Sequence, residues 1–129
     1  MFEQLDYVYM PSRDVAADVQ WFTEVLGARL VFAIDAMGTR VAMVALTDAS
    51  PRLLLAGHLD GDVPVLVYRV ADLGAATATL RARGWVAGHA LEIPQGPVQA
   101  FTAPGGQRLA LYERTRPDVE ASFEGRRDF

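Results

Sequence analysis

A pattern stated twice constrains this chain more than any other feature. Tyr7-Val8-Tyr9-Met10-Pro11-Ser12-Arg13-Asp14, an alternating segment running into a helix-capping aspartate, returns about 58 residues later as Val65-Leu66-Val67-Tyr68-Arg69-Val70-Ala71-Asp72. Each copy continues into a helical segment, a glycine stop and further strands. The first closes on Arg52-Leu53-Leu54-Leu55-Ala56 and the second on Arg108-Leu109-Ala110-Leu111-Tyr112. At 129 residues there is room for one sizeable core and not for two, so the copies must share it.

Hydrophobic periodicity predicts the elements of each copy. Residues 5–11 alternate as a half-buried strand. Asp14 offers an oxygen to the free amides of a helix, Val15, Val19, Phe22 and Leu26 recur at helical spacing, and Gly27 supplies a left-handed stop. Strands are expected over 28–34, 40–46 and 52–56, with turns at Met37-Gly38-Thr39 and over 47–51. In the second copy a strand over 65–70 leads to Asp72 and a helix with Leu73, Ala76 and Leu80 on one face. That helix stops at Gly84, and strands follow around 85–89, 98–102 and 108–113. Each copy therefore reads β-α-β-β-β. The organisation expected is one domain over 1–116, with module one at 1–57, a polar Gly/Pro-rich linker at 58–64 and module two at 65–116. Residues 117–129 form a charged C-terminal tail, with Phe123 and Phe129, that either packs as a short helix or stays mobile.

Composition narrows the chemistry. The chain has no cysteine, which excludes disulfides, thiolate nucleophiles and Cys-bound zinc. A net charge of −4 argues against a nucleic-acid partner, and the one basic pair, Arg126-Arg127, lies beside Glu124 and Asp128 as a solvated terminus would. No apolar run approaches the roughly 20 residues of a membrane span. The opening residues are acidic and strand-like, unlike a secretory signal, so the expected location is cytoplasmic, with no membrane partner. Ser12, Ser50 and Ser122 stand in no nucleophile-elbow pattern, and Pro104-Gly105-Gly106-Gln107 reads as a hairpin turn rather than a phosphate loop.

The ordered marks Asp14, Trp21-Phe22-Thr23-Glu24-Val25-Leu26-Gly27, Val70-Ala71-Asp72-Leu73, Ala82-Arg83-Gly84 and Ala103-Pro104-Gly105-Gly106-Gln107 resemble the vicinal-oxygen-chelate superfamily. That superfamily holds glyoxalases, extradiol dioxygenases, fosfomycin-resistance enzymes and bleomycin-resistance binding proteins. The resemblance implies an α+β fold in which two tandem βαβββ modules form a curved mixed sheet around a cleft, with helices outside, and it implies a homodimer. Trp21 stands where the family packs an aromatic beneath its first helix. The Pro104 turn departs from the family's Asp-Pro-Asp-Gly-Asn, with Ala103 and Gly105 in place of the aspartates.

Catalytic members of that family usually hold a divalent ion at one position on the first and last strands of each module. Motif matching puts Tyr7, Leu54, Val65 and Ala110 there. A phenol is an occasional ligand, but leucine, valine and alanine have no donor, so no metal and no cofactor are expected. Alternation instead lines the cleft with Tyr7, Tyr9, Leu54, Val65, Val67, Arg69, Ala110 and Tyr112, with Arg52 and Arg108 flanking its rim. An apolar cleft with tyrosine handles suits an aromatic or amphipathic small molecule. The leading expectation is a metal-independent small-molecule-binding protein of the glyoxalase/bleomycin-resistance type. The alternatives are a lyase, isomerase or cyclase using tyrosine, His89 or Glu92 for proton transfer, a metal-dependent glyoxalase or dioxygenase, and a purely structural module. The two histidines, His58 and His89, share no helix face, and both are expected at the surface.

Overall fold

The computed structural model describes residues 1–36 and 38–129. Met37, the first residue of the expected turn, lies outside them, while Gly38 within that turn has φ +76°. The elements run β1 (Phe2–Pro11), α1 (Val15–Glu24), β2 (Arg29–Ala36), β3 (Thr39–Ala45), β4 (Arg52–Ala56), β5 (Val65–Val70), α2 (Leu73–Ala82), β6 (Ala90–Ile93), β7 (Gly96–Thr102), β8 (Arg108–Glu113) and α3 (Val119–Phe123).

The eight strands form one curled mixed sheet in the order β2-β3-β4-β1-β5-β8-β7-β6. The modules meet at the antiparallel pair β1 and β5, and each closes on a parallel pair, β1 with β4 and β5 with β8. The register carries the duplication to single residues. Tyr9 pairs with Leu54 in one module and Val67 with Ala110 in the other, while across the junction Tyr7 pairs with Val67 and Tyr9 with Val65.

Both helices start where the aspartates predict. Asp14 accepts from the Ala17 amide at 3.0 Å and Asp72 from the Ala75 amide at 2.9 Å, satisfying donors that have no partner in a helical first turn. The helices cover the convex face. Val15 and Val19 of α1 pack with Ala33, Ala42, Val44 and Leu55, and Ala76 of α2 packs with Val70 and Leu111. The concave face holds the other cluster, with Tyr7, Phe32, Met43, Leu54, Val67 and Tyr112 among its members.

Several boundaries differ from expectation. The strand expected around 85–89 begins only at Ala90, because Gly88 and His89 both bond the backbone of the one residue Ala100, which breaks the regular ladder there, and the Gln99 side-chain amide adds bonds to their carbonyls. Helix α1 ends at Glu24, which leaves Leu26 exposed beyond it. Trp21, expected in the core, is 51% exposed with its ring edge-on to Phe22. The Pro104 turn forms as predicted, closed by the Gly106 amide on the Ala103 carbonyl and the Ala103 amide on that of Gln107.

Residues 119–129 pack onto the first module. Phe123 meets Phe32 with ring centroids 5.9 Å apart, and the last residues run beside the outer edge of β2. There the Gly125 amide bonds Val31 and the Ala33 amide bonds Arg126.

Candidate functional site

Seven of the eight residues read as cleft-lining, Tyr7, Tyr9, Leu54, Val65, Val67, Ala110 and Tyr112, fall in or against the one concave cluster. The eighth, Arg69, pairs in register with Tyr112 on the same face. A residue the alternation pattern misses joins them. The β1–β5 register slips between Leu5 and Tyr7, and the resulting bulge turns Asp6 inward beside Tyr7 instead of away from it.

These groups form a polar chain across an otherwise apolar wall. Tyr112 Oη donates to Asp6 Oδ2, and Gln4 Nε2 donates to Asp6 Oδ1 at 2.6 Å. Arg69 Nε lies 3.6 Å from Asp6 Oδ2 and 3.7 Å from Glu3. The Tyr7 and Tyr112 rings stand 5.7 Å apart, and Tyr7 Oη donates to Glu120 Oε1 of α3 at 3.1 Å. Burial, then the Glu120 carboxylate, pushes Tyr9 up to about 12. Tyr7 is raised further by burial, Glu120 and Tyr112, and Tyr112 by burial and its bond to Asp6, against opposing pulls from Tyr7 and then Arg69. All three phenols are held neutral, and Tyr7 and Tyr112 are donors.

The open space on this face is at its polar end. A pocket of about 220 Å³ is lined by Gln4, Asp6, Tyr7, Ser50, Arg52, Arg69, Arg114 and Glu120. The apolar part of the wall is closed by its own packing, Leu54, Val67, Ala110 and Tyr112 being buried, with Phe123 packed against it. The expected apolar cleft is thus a polar pocket beside a filled apolar wall. Of the two rim arginines, Arg52 lines the pocket while its guanidinium donates to the carbonyls of Thr47, Asp48 and Ala49. Arg108, its counterpart, instead clamps the linker through the Asp60 and Val63 carbonyls.

The weaker catalytic candidates lie elsewhere. His89 is exposed just before β6, and Glu92 is exposed and ion-paired to Arg116 at 2.6 Å. Ile93 packs toward the concave cluster, so by alternation Glu92 points the other way. Glu92 borders a larger open depression of about 610 Å³ between α2 and β6–β7. Buried or bordering polar groups there are already used internally: Thr77 Oγ1 bonds the Leu73 carbonyl, Glu113 accepts from the Leu73 amide, and Gln99 holds Gly88 and His89. The concave pocket, with its aligned ionisable groups, is the stronger candidate.

The metal positions implied by the resemblance fail on donor chemistry. Leu54, Val65 and Ala110 have no ligand atom, and the Tyr7 hydroxyl is engaged by Glu120. Among the described residues no group of three or more His, Asp or Glu is placed to hold a metal ion. The residues present do not fit the family's divalent ion.

A family model, the Glyoxalase/Bleomycin resistance protein/Dioxygenase superfamily, matches residues 4–111. The chain belongs to that superfamily. Its glyoxalase-type fold also appears in solved structures. The methylmalonyl-CoA epimerase of Mycobacterium tuberculosis superposes with a TM-score of 0.75 at 23% identity, covering 90% of this chain and 91% of that one. A Streptomyces coelicolor methylmalonyl-CoA epimerase variant in complex with 2-nitronate-propionyl-CoA gives 0.70 at 18% identity, covering 90% and 97%. A hypothetical protein of Bacillus halodurans gives 0.70 at 11% identity, covering 88% and 95%. At these identities the likeness to this superfamily member is one of fold. Comparison with curated proteins gives no match. Among the described residues no helix is long and apolar enough to cross a membrane.

Proposed function

We propose that this protein binds an amphipathic or aromatic small molecule on its concave face without a metal at the family's ligand positions. The ligand's polar group enters the pocket bordered by Asp6, Tyr7, Arg69 and Arg114, and its body lies against Tyr9 and Val65, the partly exposed members of the apolar wall that Leu54, Val67 and Ala110 back. One observation carries the reading: phenol–carboxylate pairs, Tyr112 with Asp6 and Tyr7 with Glu120, stand within an apolar wall at the edge of an open pocket. Polar groups fixed against an apolar surface are what orients a small ligand. The protein acts as a homodimer in this proposal, and the half-exposed Trp21, Val25 and Leu26 around the end of α1 offer an apolar surface for it.

A second reading, an isomerase that moves a proton at a carbon acid, has its own support. The two carboxylates approach the tyrosine pair from different elements, β1 and α3, and several structures of like fold are methylmalonyl-CoA epimerases. Acid–base work needs a group within hydrogen-bond reach of the substrate's proton, and Asp6, Tyr7 and Glu120 all line the open pocket.

One experiment tests both. A panel of aromatic and amphipathic compounds, with carbon-acid thioesters among them, is screened by thermal shift, and the compounds are then recovered from D₂O. Concave-face binding predicts stabilisation by some compounds that is lost in Tyr7→Ala, and hits that stabilise the variant equally would rule out this wall. Deuterium incorporation that disappears in Asp6→Asn selects the isomerase reading, and binding without exchange selects sequestration.

A further inference from the structure

The C-terminal helix occupies the concave site with the chemistry of a ligand. Glu120 and Phe123, three residues apart, share one face of α3, and both are turned onto the concave side. The Glu120 carboxylate accepts the Tyr7 hydroxyl at the pocket's border, and the Phe123 ring packs on Phe32 at the apolar wall. A carboxylate and a phenyl group carried one helical turn apart therefore fill a polar and an apolar subsite of the same face.

Charge says why the polar subsite selects an anion. Three guanidiniums, from Arg52, Arg69 and Arg114, border the pocket against two carboxylates, Asp6 and Glu120. Asp6 accepts hydrogen bonds from Gln4 and Tyr112 and is ion-paired to Arg69, whose buried Nε has no hydrogen-bond partner among the described residues. Glu3 reaches Arg69 but is half exposed. Among the described residues Arg52 and Arg114 donate only to neutral carbonyls, those of residues 47–49 and of Pro117. With Glu120 withdrawn, Asp6 is the one carboxylate lining the pocket against three cations, and the Tyr7 hydroxyl loses its acceptor. A buried donor without an acceptor is unfavourable, so the vacated place is best refilled by another carboxylate.

We infer that the site takes a carboxylate-bearing ligand with an aromatic or aliphatic body, and that residues 119–129 are a built-in competitor that such a ligand displaces. The inference rests on the concave-face reading and adds the ligand's charge and the moving part. While the tail is seated, apparent affinity is reduced by the fraction of molecules in which it is open. On the concave face itself the hold of α3 is modest, one half-buried ring and one hydrogen bond from Tyr7, while residues 124–129 add backbone bonds to β2, the Arg29–Glu124 ion pair and the Phe129 ring beneath the Arg40 guanidinium.

The test compares 4-phenylbutyrate with its uncharged amide by NMR titration of the full-length protein, its Glu120→Ala and Phe123→Ala variants, and Arg69→Met. We expect the acid to shift Tyr7 and Val67 resonances together with those of 119–129, and to bind about five-fold or more tightly in the two tail variants. The amide should bind more weakly throughout, and Arg69→Met should erase the difference. Equal affinity for acid and amide, or binding with the tail resonances unmoved, would overturn the inference and leave the concave-face reading standing. Binding of both compounds away from the concave face, or of neither in any of the four proteins, would sink that reading as well. If a variant fails to fold, the coupled shift of concave-face and tail resonances in the parent still decides.

Discussion

At the residue scale the site is set by phenols that the fold keeps protonated. Tyr7, Tyr9 and Tyr112 are each raised above the ordinary value of 10.0, chiefly because burial penalises the phenolate, with Glu120 or Asp6 adding to the effect. The sign of the pH dependence follows. Above pH 10 the unfolded chain releases these protons while the folded chain retains them, so their contribution to stability is complete below that pH. It declines as pH rises through the folded-state values, the lowest of which is about 12, for Tyr9. Chemical denaturation from pH 8 to 11.5 should show a flat profile and then a fall beginning near 10. The 295 nm phenolate absorbance of the buried tyrosines should rise together with unfolding. Replacement of Tyr9 by Phe should make the fall shallower, and an unchanged slope would mean that Tyr9 ionises without opposition from the fold.

At the scale of elements, what repeats was legible in the sequence and what breaks the repeat was not. Asp14 and Asp72 announce both helices because an aspartate before an apolar period has one strong local use, and the structure shows each bonding the amide three residues on. Asp14→Ala and Asp72→Ala should each cost about 1 kcal/mol in denaturant midpoint experiments, with the double variant close to the sum, since the caps share no partner. A coupling of more than about 0.5 kcal/mol would mean that the helices do not respond independently. The strand parity that grouped Tyr7, Leu54, Val67 and Ala110 was likewise readable, since alternation is local. Asp6 was not, because the bulge that turns it inward depends on its pairing with β5, a partner about 60 residues away. Strand β6 was displaced for a similar reason: Gly88 and His89 both bond Ala100 of the neighbouring strand, an irregularity that depends on the partner strand. Trp21 misled because its core role was carried over from the resemblance, which marks a position on the first helix and not how far the sheet extends beneath it.

At the scale of the whole molecule, two modules related by register end in unlike edges. Strand β6 is a four-residue edge, whereas β2 receives the C-terminal segment alongside it: the Gly125 amide bonds Val31 at 2.8 Å, the Ala33 amide bonds Arg126 at 2.9 Å and the Asp128 amide bonds Ala33 at 2.7 Å. An uncovered strand edge invites pairing with other chains, so the tail shields the longer of the two outer strands while placing Glu120 over Tyr7. Nothing in the local pattern of 117–129 reveals this, since its contacts are with residues about 90 or more positions earlier. Phe123 is the tail's largest apolar anchor on the concave cluster, and its removal should release the segment while leaving the central sheet intact. In Phe123→Ala, native-state hydrogen exchange should show the Gly125, Ala33 and Asp128 amides losing about 2 kcal/mol of protection, the scale of one such ring's burial. Amides in β5 and β8, buried on both faces between neighbouring strands, should change much less. Equal loss across all of these amides would show that the tail opens only when the whole molecule unfolds. Selective loss at the β2 edge would establish a cover that moves on a sheet that does not.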